Sequence, residues 1–460
     1  MSLSRKLVRL LDSKRSAGIP PDVANKTRLH IADAVGISLA ARRAMAMGDW
    51  VSRALAVGGG SGVCSVIGGA QSSPPASEAF VNSALVHMLD YDDMHDAARL
   101  HPTPGTFPAA LAASELAGAG GDLLVEGVAI GNELMWRLGL MWTPTGSGPG
   151  SDWFCSQLFG YVGSSIAAGV VLGLTEDEMV SALGLAYMQA AGGKEPGFGV
   201  DSNARSIYPA FAAMGGIHAV LLARAGIVGP PSALDGTAGL FRIYMGAEPG
   251  PAAMATLLDE DAWFFRDTLI KPWPSCRLSH SYIAAAFAVR EKMPRAPVQR
   301  VVVAVNPSAA KLCRPLEARR RPRTIQDGKH SIPFMTAFAL ARGKVDLETL
   351  TEKALDDPAV LELAARMEIA ETLPDNPGNP PAEIAVYAAG ACIRSPKHDD
   401  AALKPSPAQI REKFTSCLAY ARRATEAGGL WERLVNLDAT RVSEVLRAIP
   451  RVAIGEAQVE

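Results

Sequence analysis

Hydrophobic positions along this chain recur mostly at helical spacing. Leu3, Leu7 and Leu10 form one stripe near the start. Thr27 to Arg42 reads as an apolar helix with one acid, Asp33, inside it. Pro74-Pro75 opens a further helix whose first turn holds Glu78, where an acid suits the positive end of the helix dipole. Along that helix Phe80, Ala84 and Met88 make one row, and Val81, Leu85 and Leu89 the adjacent row. If the winding continues, Ser83, His87, Asp90 and Met94 share a neighbouring face, and His87 and Asp90 point together into a cleft beside the core. Ala- and Gly-rich helices follow over Thr106 to Ala119, Leu123 to Leu140, Gly163 to Gly173, Glu176 to Ala191 and Ala210 to Ala225. Side chains this small allow helices to approach closely.

The pattern changes near residue 266. Arg300 to Val305 is a β-branched run typical of a strand, and Ala382 to Val386 is a weaker second strand. Between them lie Pro-rich turns, the basic run 319–323 and a helix from about Ile332 to Arg342. Lys404-Pro405-Ser406-Pro407 ends this region. Helical spacing then returns, with Phe414, Leu418 and Ala421, then Leu430 and Leu434. The expected fold is mainly α with a smaller α+β domain. Residues 1–265 form a helical domain, 266–405 the α+β domain, and 406–460 helices that pack back on the first part.

With 460 residues, 48% of them hydrophobic, the chain can bury a large core. The net charge of −2 gives no overall field for nucleic acid or an anionic membrane. The basic run at 319–323 lacks interleaved aromatics and reads as a solvated loop or a funnel for anionic substrates. Six cysteines without a CxxC pair or metal-ligand spacing fit a reduced, cytoplasmic protein. No apolar run approaches the roughly 20 residues needed to span a bilayer. The basic N-terminus lacks the continuous apolar stretch and cleavage site of a secretory leader. Gly58-Gly59-Gly60-Ser61-Gly62 follows no strand, matches no phosphate-loop spacing, and reads as a turn.

Against this apolar background, residues 87–101 stand out. His87, His95 and His101 lie there with Asp90, Asp92, Asp93 and Asp96. Burying unpaired charge is costly, so such a density of proton-transfer groups in an apolar chain points to a site.

Several motifs carry a resemblance. They are Ser65-Val66-Ile67-Gly68-Gly69, His87 to Asp93, His101-Pro102-Thr103, Leu234-Asp235-Gly236 with Gly239 and Phe241, and Lys271-Pro272-Trp273-Pro274-Ser275-Cys276 with His280. Asp327-Gly328-Lys329-His330-Ser331 adds another. In this order, the chain resembles the 2-methylcitrate dehydratase (MmgE/PrpD) family over roughly residues 20–450. That family includes 2-methylcitrate dehydratases, cis-aconitate decarboxylases and iminodisuccinate epimerases.

The resemblance implies a large helical domain with an inserted lid domain and a site in the crevice. It also implies a homodimer, small di- or tricarboxylate substrates, and neither metal nor organic cofactor. Such reactions move a proton beside a carboxylate, which needs a base, an acid, and cations that hold the carboxylates. By motif, Asp90 and His101 are the proton-transfer candidates, with the base left open between them. Lys271 matches a site lysine. Arg205, Tyr208, Cys276, Arg277, Asp93 and Phe154 are the candidate substrate contacts. Asp92 and Asp93 could equally serve structure, and His87 and His95 read as supporting or surface groups.

Departures from the family pattern fall at Met94, Phe154, Arg205 and Tyr208, where the resemblance expects other polar residues. A site built to hydrogen-bond discriminates strongly, so these changes imply a substrate other than plain 2-methylcitrate or cis-aconitate. The first functional reading is a cofactor-independent hydro-lyase. The alternatives are an epimerase of an imino- or amino-dicarboxylate, a decarboxylase of the cis-aconitate type, and a non-catalytic carboxylate-binding homologue.

Overall fold

The computed structural model describes residues 1–44, 62–70, 72–142, 152–197, 202–294, 296–374, 379–397 and 403–453. The glycine-rich turn expected at 58–62 lies, apart from Gly62, outside the described residues. The chain divides into two compact units. One comprises Met1–Phe198, Ala204–Ile270 and Ser406–Glu460; the other comprises Gly199–Asn203 and Lys271–Pro405. This is a mainly α protein with a smaller α+β part.

In the first unit the principal helices of the N-terminal part are α1 (Leu3–Ser16), α2 (Pro21–Arg43), α3 (Pro75–His87), α4 (Thr103–Ala117) and α5 (Gly121–Met141). They continue with α6 (Cys155–Val171), α7 (Glu176–Gln189) and α8 (Tyr208–Arg224). α1 buries the Leu3, Leu7 and Leu10 stripe together with Val8 and Leu11. α7 starts on a Thr175/Glu178 capping box, which satisfies two of the N–H groups left unpaired at a helix start.

α6 is buried along its whole length. Glycines on it and on its neighbours let the helices approach closely. A Cβ added at Gly131 of α5 would lie 2.7 Å from the Gly163 carbonyl oxygen and 2.7 Å from Ala167 Cβ on α6. The same close approach recurs at Gly160, whose added Cβ would meet Ala212 of α8 at 2.9 Å. The helix Pro407–Tyr420, opened by a Ser406/Gln409 capping box, joins this unit. Its Phe414 ring covers Gly36 of α2, where an added Cβ would come within 2.8 Å. Leu418, Leu430 and Leu434 extend the same core.

α3 ends at His87 rather than winding on through Asp90 and Met94. Asp90 adopts a left-handed conformation with φ 54°, which Asp tolerates better than most residues. Its N–H donates to the His87 carbonyl at 2.8 Å, closing a turn. Met94 leaves the helical face and pairs with Leu269 in an antiparallel bridge. Glu78 lies in the first turn of α3, as its sequence position suggests. It is fully buried and accepts from Asn82; burial, aided by Glu115, pushes its carboxyl well above the ordinary range.

The second unit is built on a four-stranded sheet. β1 (Cys64–Ser65) and β2 (Ser72–Ser73) form a separate short hairpin in the first unit. The larger sheet holds β3 (Val298–Val305), β4 (Met367–Glu371), β5 (Glu383–Ala388) and β6 (Ala391–Arg394), in the order β4-β3-β5-β6. β3 runs parallel to β4, with Val301 opposite Met367, and antiparallel to β5, with Val301 opposite Val386. Val301, Val303 and Val305 of β3 are buried in one cluster with Ile283 and Phe338. Ala389 and Gly390, with φ 50° and 77°, make the tight turn between β5 and β6. The helix Ile332–Arg342 is observed over the span its sequence suggests. No helix among the described residues is long and apolar enough to cross a membrane.

Gly131→Ala tests the close packing of α5 on α6. Helix propensity alone would favour Ala by about 1 kcal/mol. The added methyl group meets a carbonyl oxygen that cannot yield, and overpacking of this kind costs about 1–3 kcal/mol. The midpoint of urea unfolding is therefore expected to fall; a rise would show that the helices can separate cheaply.

Candidate functional site

The turn after α3 and the start of α4 bring three side chains together. His87 is the last residue of α3, Asp92 lies in the following turn, and His101 sits just before α4. Nδ1 of His87 and Nδ1 of His101 each lie 2.9 Å from the same Asp92 oxygen, Oδ2. The two imidazoles meet edge to face, with centroids 5.0 Å apart. Asp92 and His87 are buried, and His101 is the most exposed of the three.

The hydrogen-bond partners decide the tautomers. His101 Nδ1 also faces the Asp93 carbonyl oxygen at 2.8 Å, and a carbonyl only accepts. That nitrogen therefore carries the proton, and in the neutral ring Nε2 holds the lone pair. His87 Nδ1 likewise donates to the Asp92 carboxylate at 2.9 Å. Burial opposes the charge on Asp92, but His87 and His101 outweigh it and hold the carboxyl well below the usual carboxylate range. His87, Asp92 and His101 also offer metal-ligand atoms within 4.8 Å of one another.

Asp93 anchors the next layer. Its Oδ2 lies 2.7 Å from His30 Nδ1 on α2 and accepts from Thr103 Oγ1 at 2.5 Å. Burial pushes the His30 imidazole down, against the pull of Asp93. Thr103 in turn accepts from Asn132 Nδ2 at 3.2 Å, and Asn132 Oδ1 accepts from Thr106 at 2.5 Å. One polar chain thus ties the turn to α4 and α5.

Phe154 and Tyr208 form the neighbouring wall. Their rings stack at 4.3 Å and 10°, and Tyr208 stands edge-on to His87 at 4.8 Å. The Tyr208 hydroxyl donates to Ser156 Oγ at 3.3 Å, and Ser156 Oγ also accepts the His101 main-chain N–H at 2.8 Å. Burial pushes the Tyr208 hydroxyl above the ordinary phenol range, so it is protonated at neutral pH. Arg205 is half-buried, with Nη1 donating to the Gly197 carbonyl at 3.0 Å.

Of the residues singled out by sequence, Asp90, Asp93, His101, Phe154, Arg205 and Tyr208 lie in the first unit. Asp90 is buried at the turn. Lys271, Cys276 and Arg277 belong to the second unit. There the Cys276 N–H donates to the Lys329 carbonyl at 3.1 Å, and His280 Nε2 donates to the Ser275 carbonyl at 3.2 Å. His280 so braces the segment that carries Cys276. The sequence reading gave His87 a minor role and left Asp92 undecided. Ser156, His30 and Thr103 were not singled out as site residues. His95, also read as a minor group, is buried against Trp136 with centroids 3.9 Å apart.

Two family descriptions cover most of the chain. Residues 5–251 match the MmgE/PrpD N-terminal domain, and residues 273–430 match the MmgE/PrpD C-terminal domain. The chain belongs to the MmgE/PrpD family. A cis-aconitate decarboxylase of Aspergillus terreus is 26% identical over 374 residues, covering 76% of this chain and 74% of its own length. A cis-aconitate decarboxylase of Homo sapiens is 27% identical over 319 residues, covering 66% of this chain and 63% of its own length. A cis-aconitate decarboxylase-like protein of Aspergillus oryzae is 25% identical over 387 residues, covering 79% and 78%. At the level of the MmgE/PrpD family, this is an enzyme of the lyase type.

Asp92→Asn tests the carboxylate at the centre of the cluster. Replacing charge-assisted bonds with neutral ones is expected to cost about 1–3 kcal/mol near neutral pH. Because the native carboxyl titrates below its unfolded value, the native state binds fewer protons in that interval. Its stabilisation is complete above about pH 4 and is lost as the pH falls toward the native value. Urea unfolding of both proteins between about pH 5, where exposed histidines are already protonated, and pH 3 should show their difference shrinking. A difference that does not shrink over that interval would contradict an ionised Asp92.

Proposed function

We propose that this enzyme is a lyase acting on a small di- or tricarboxylate, with His101 carrying the proton at the carbon beside a carboxylate. The observation that supports this most is the tautomer of His101. Its Nδ1 proton is committed to Asp93 and Asp92, so the neutral ring presents Nε2 as a base. Asp92, ionised and 2.9 Å away, stabilises the imidazolium that forms when His101 takes up a proton.

Elimination of water is the first reading. The C–H proton passes to His101 Nε2, the electron pair forms the C=C bond, and the hydroxyl leaves as water with a proton from an acid. Tyr208, kept protonated by burial, is the candidate acid. Arg205 supplies a guanidinium for a substrate carboxylate. Lys271 is assigned to the same reaction by its motif. The stacked Phe154 and Tyr208 rings stand where the family pattern expects other polar contacts. They favour a substrate with a shorter or more apolar segment at that point.

Loss of carbon dioxide is the second reading, favoured by the name the matched relatives share. There His101 would act in its protonated form and deliver a proton to the carbanion left behind. An epimerase would use the same carbanion and reprotonate it from the other face.

Proton NMR in D2O separates these outcomes. The panel is 2-methylcitrate, citrate, cis-aconitate, itaconate, iminodisuccinate, malate and aspartate. The wild type is expected to produce new vinyl signals from a hydroxy-polycarboxylate. His101→Ala is expected to lower that rate by about 100-fold or more, as removal of a general base does. Conversion at the wild-type rate by His101→Ala would overturn the assignment. Carbon dioxide release without dehydration would move the reaction to the second reading, and exchange without net change would make it an epimerase. Binding without conversion of any compound would make the chain a carboxylate-binding homologue.

A further inference from the structure

Lys413 is buried on the helix Pro407–Tyr420, far along the chain from the residues it meets. Its Nζ lies 2.8 Å and 3.0 Å from the two carboxylate oxygens of Asp33 on α2. It also donates to the Tyr91 carbonyl oxygen at 2.7 Å and sits 3.8 Å from the centroid of the Tyr91 ring. Tyr91 immediately precedes Asp92.

We propose that Lys413 is a positioning residue for the His87–Asp92–His101 cluster; this rests on the proton-transfer role assigned to that cluster above. A buried ammonium has three N–H groups to satisfy, and the Asp33 oxygens can take two of them. Here one ammonium proton goes to the carbonyl of the peptide plane that leads into Asp92. A peptide unit is rigid, so fixing that carbonyl fixes the N–Cα bond of Asp92 and leaves rotation about that bond to aim its side chain. On the far side, the Asp93 carbonyl is held by His101, and the Asp93 carboxylate by His30 and Thr103. The Asp92–Asp93 pair therefore sits between two clamped peptide planes, Tyr91–Asp92 and Asp93–Met94. The left-handed turn at Asp90 begins the clamped stretch.

Charge fits the same role. Asp33, Asp92 and Asp93 lie in one buried neighbourhood, and both Asp92 and Asp93 act electrostatically on Asp33. Lys413 places its Nζ among them, against both oxygens of Asp33. Burial pushes the Asp33 carboxyl up to about 6, against the pull of Lys413. The C-terminal helix thus contributes to the site through the Tyr91 carbonyl without supplying a reacting group.

The test uses the full chain labelled with 15N-histidine, with His87 and His101 signals assigned by His87→Gln and His101→Gln. Lys413→Met removes the ammonium. Asp33→Asn/Lys413→Met removes both charges, so no unpaired ion is left to unfold the protein. Both variants are expected to displace or broaden the Nδ1–H resonances of His87 and His101. They should also lower kcat by about 10- to 100-fold, the scale of a small misplacement, with KM little changed. The probe is citrate, then the other compounds of the panel. Lys413→Arg is expected to restore the resonances and most of the turnover.

Unchanged histidine resonances in the folded double variant, with only a lower melting temperature, would make Lys413 a stabilising ion pair and overturn the inference. The histidine signals are read without substrate, so they judge Lys413 even where no panel compound turns over. An active His101→Ala would remove the proton-transfer reading; an inactive His101→Ala beside a fully active Lys413→Met would remove the role of Lys413 alone.

Discussion

A buried, ionised carboxylate is the constraint on which the site depends. Taking one such ion out of water costs several kcal/mol even after the protein relaxes. Asp92 meets that cost with two imidazole N–H groups at 2.9 Å, each a charge-assisted contact of about 1.5–3 kcal/mol. Neither contact alone closes the difference, so the two rings and the carboxylate form a unit. Its geometry also dictates chemistry. Once both Nδ1 protons are committed inward, each neutral ring keeps its lone pair on Nε2.

Holding this unit in place is a packing problem. His87, Asp92 and His101 lie within one short stretch, yet that stretch must turn sharply between α3 and α4. The turn is held at several points: Asp90 on the His87 carbonyl, Tyr91 on Lys413, and Asp93 on His30 and Thr103. Each anchor belongs to a different helix. Close approach of these helices is made possible by glycine, as at Gly36 of α2 beneath Phe414 of the helix Pro407–Tyr420. The alanine- and glycine-rich composition is thus part of how the polar residues are positioned.

Much of the helical framework was legible because apolar spacing records which face is buried. The helices predicted at Leu123 to Leu140 and Glu176 to Ala191 fall close to α5 and α7. The strand at Arg300 to Val305 was legible because buried β-branched residues concentrate there. β4 and β6 were not, since Met367–Glu371 is half exposed and mixed in character, and the Ala389-Gly390 turn lacks the usual Asn or Asp. In the site, local density exposed residues 87–101, and motifs marked His101, Asp93 and Tyr208. The shared carboxylate could not be read, because helical spacing carried past His87 pairs it with Asp90, whereas the break in the helix delivers Asp92. Lys413 had no local signal at all: its partner Asp33 is on α2 and its other partner is a backbone carbonyl.

Membership of the MmgE/PrpD family places the chain among enzymes of the lyase type, and the proposed proton transfer depends on the tautomer of His101. The most direct measurement is a long-range 1H–15N correlation spectrum of the wild-type protein labelled with 15N-histidine, recorded at neutral pH. The account predicts that the neutral rings of His87 and His101 carry their proton on Nδ1 and show Nε2 in the unprotonated range. A His101 proton found on Nε2 would leave no base directed away from Asp92 and would contradict the account.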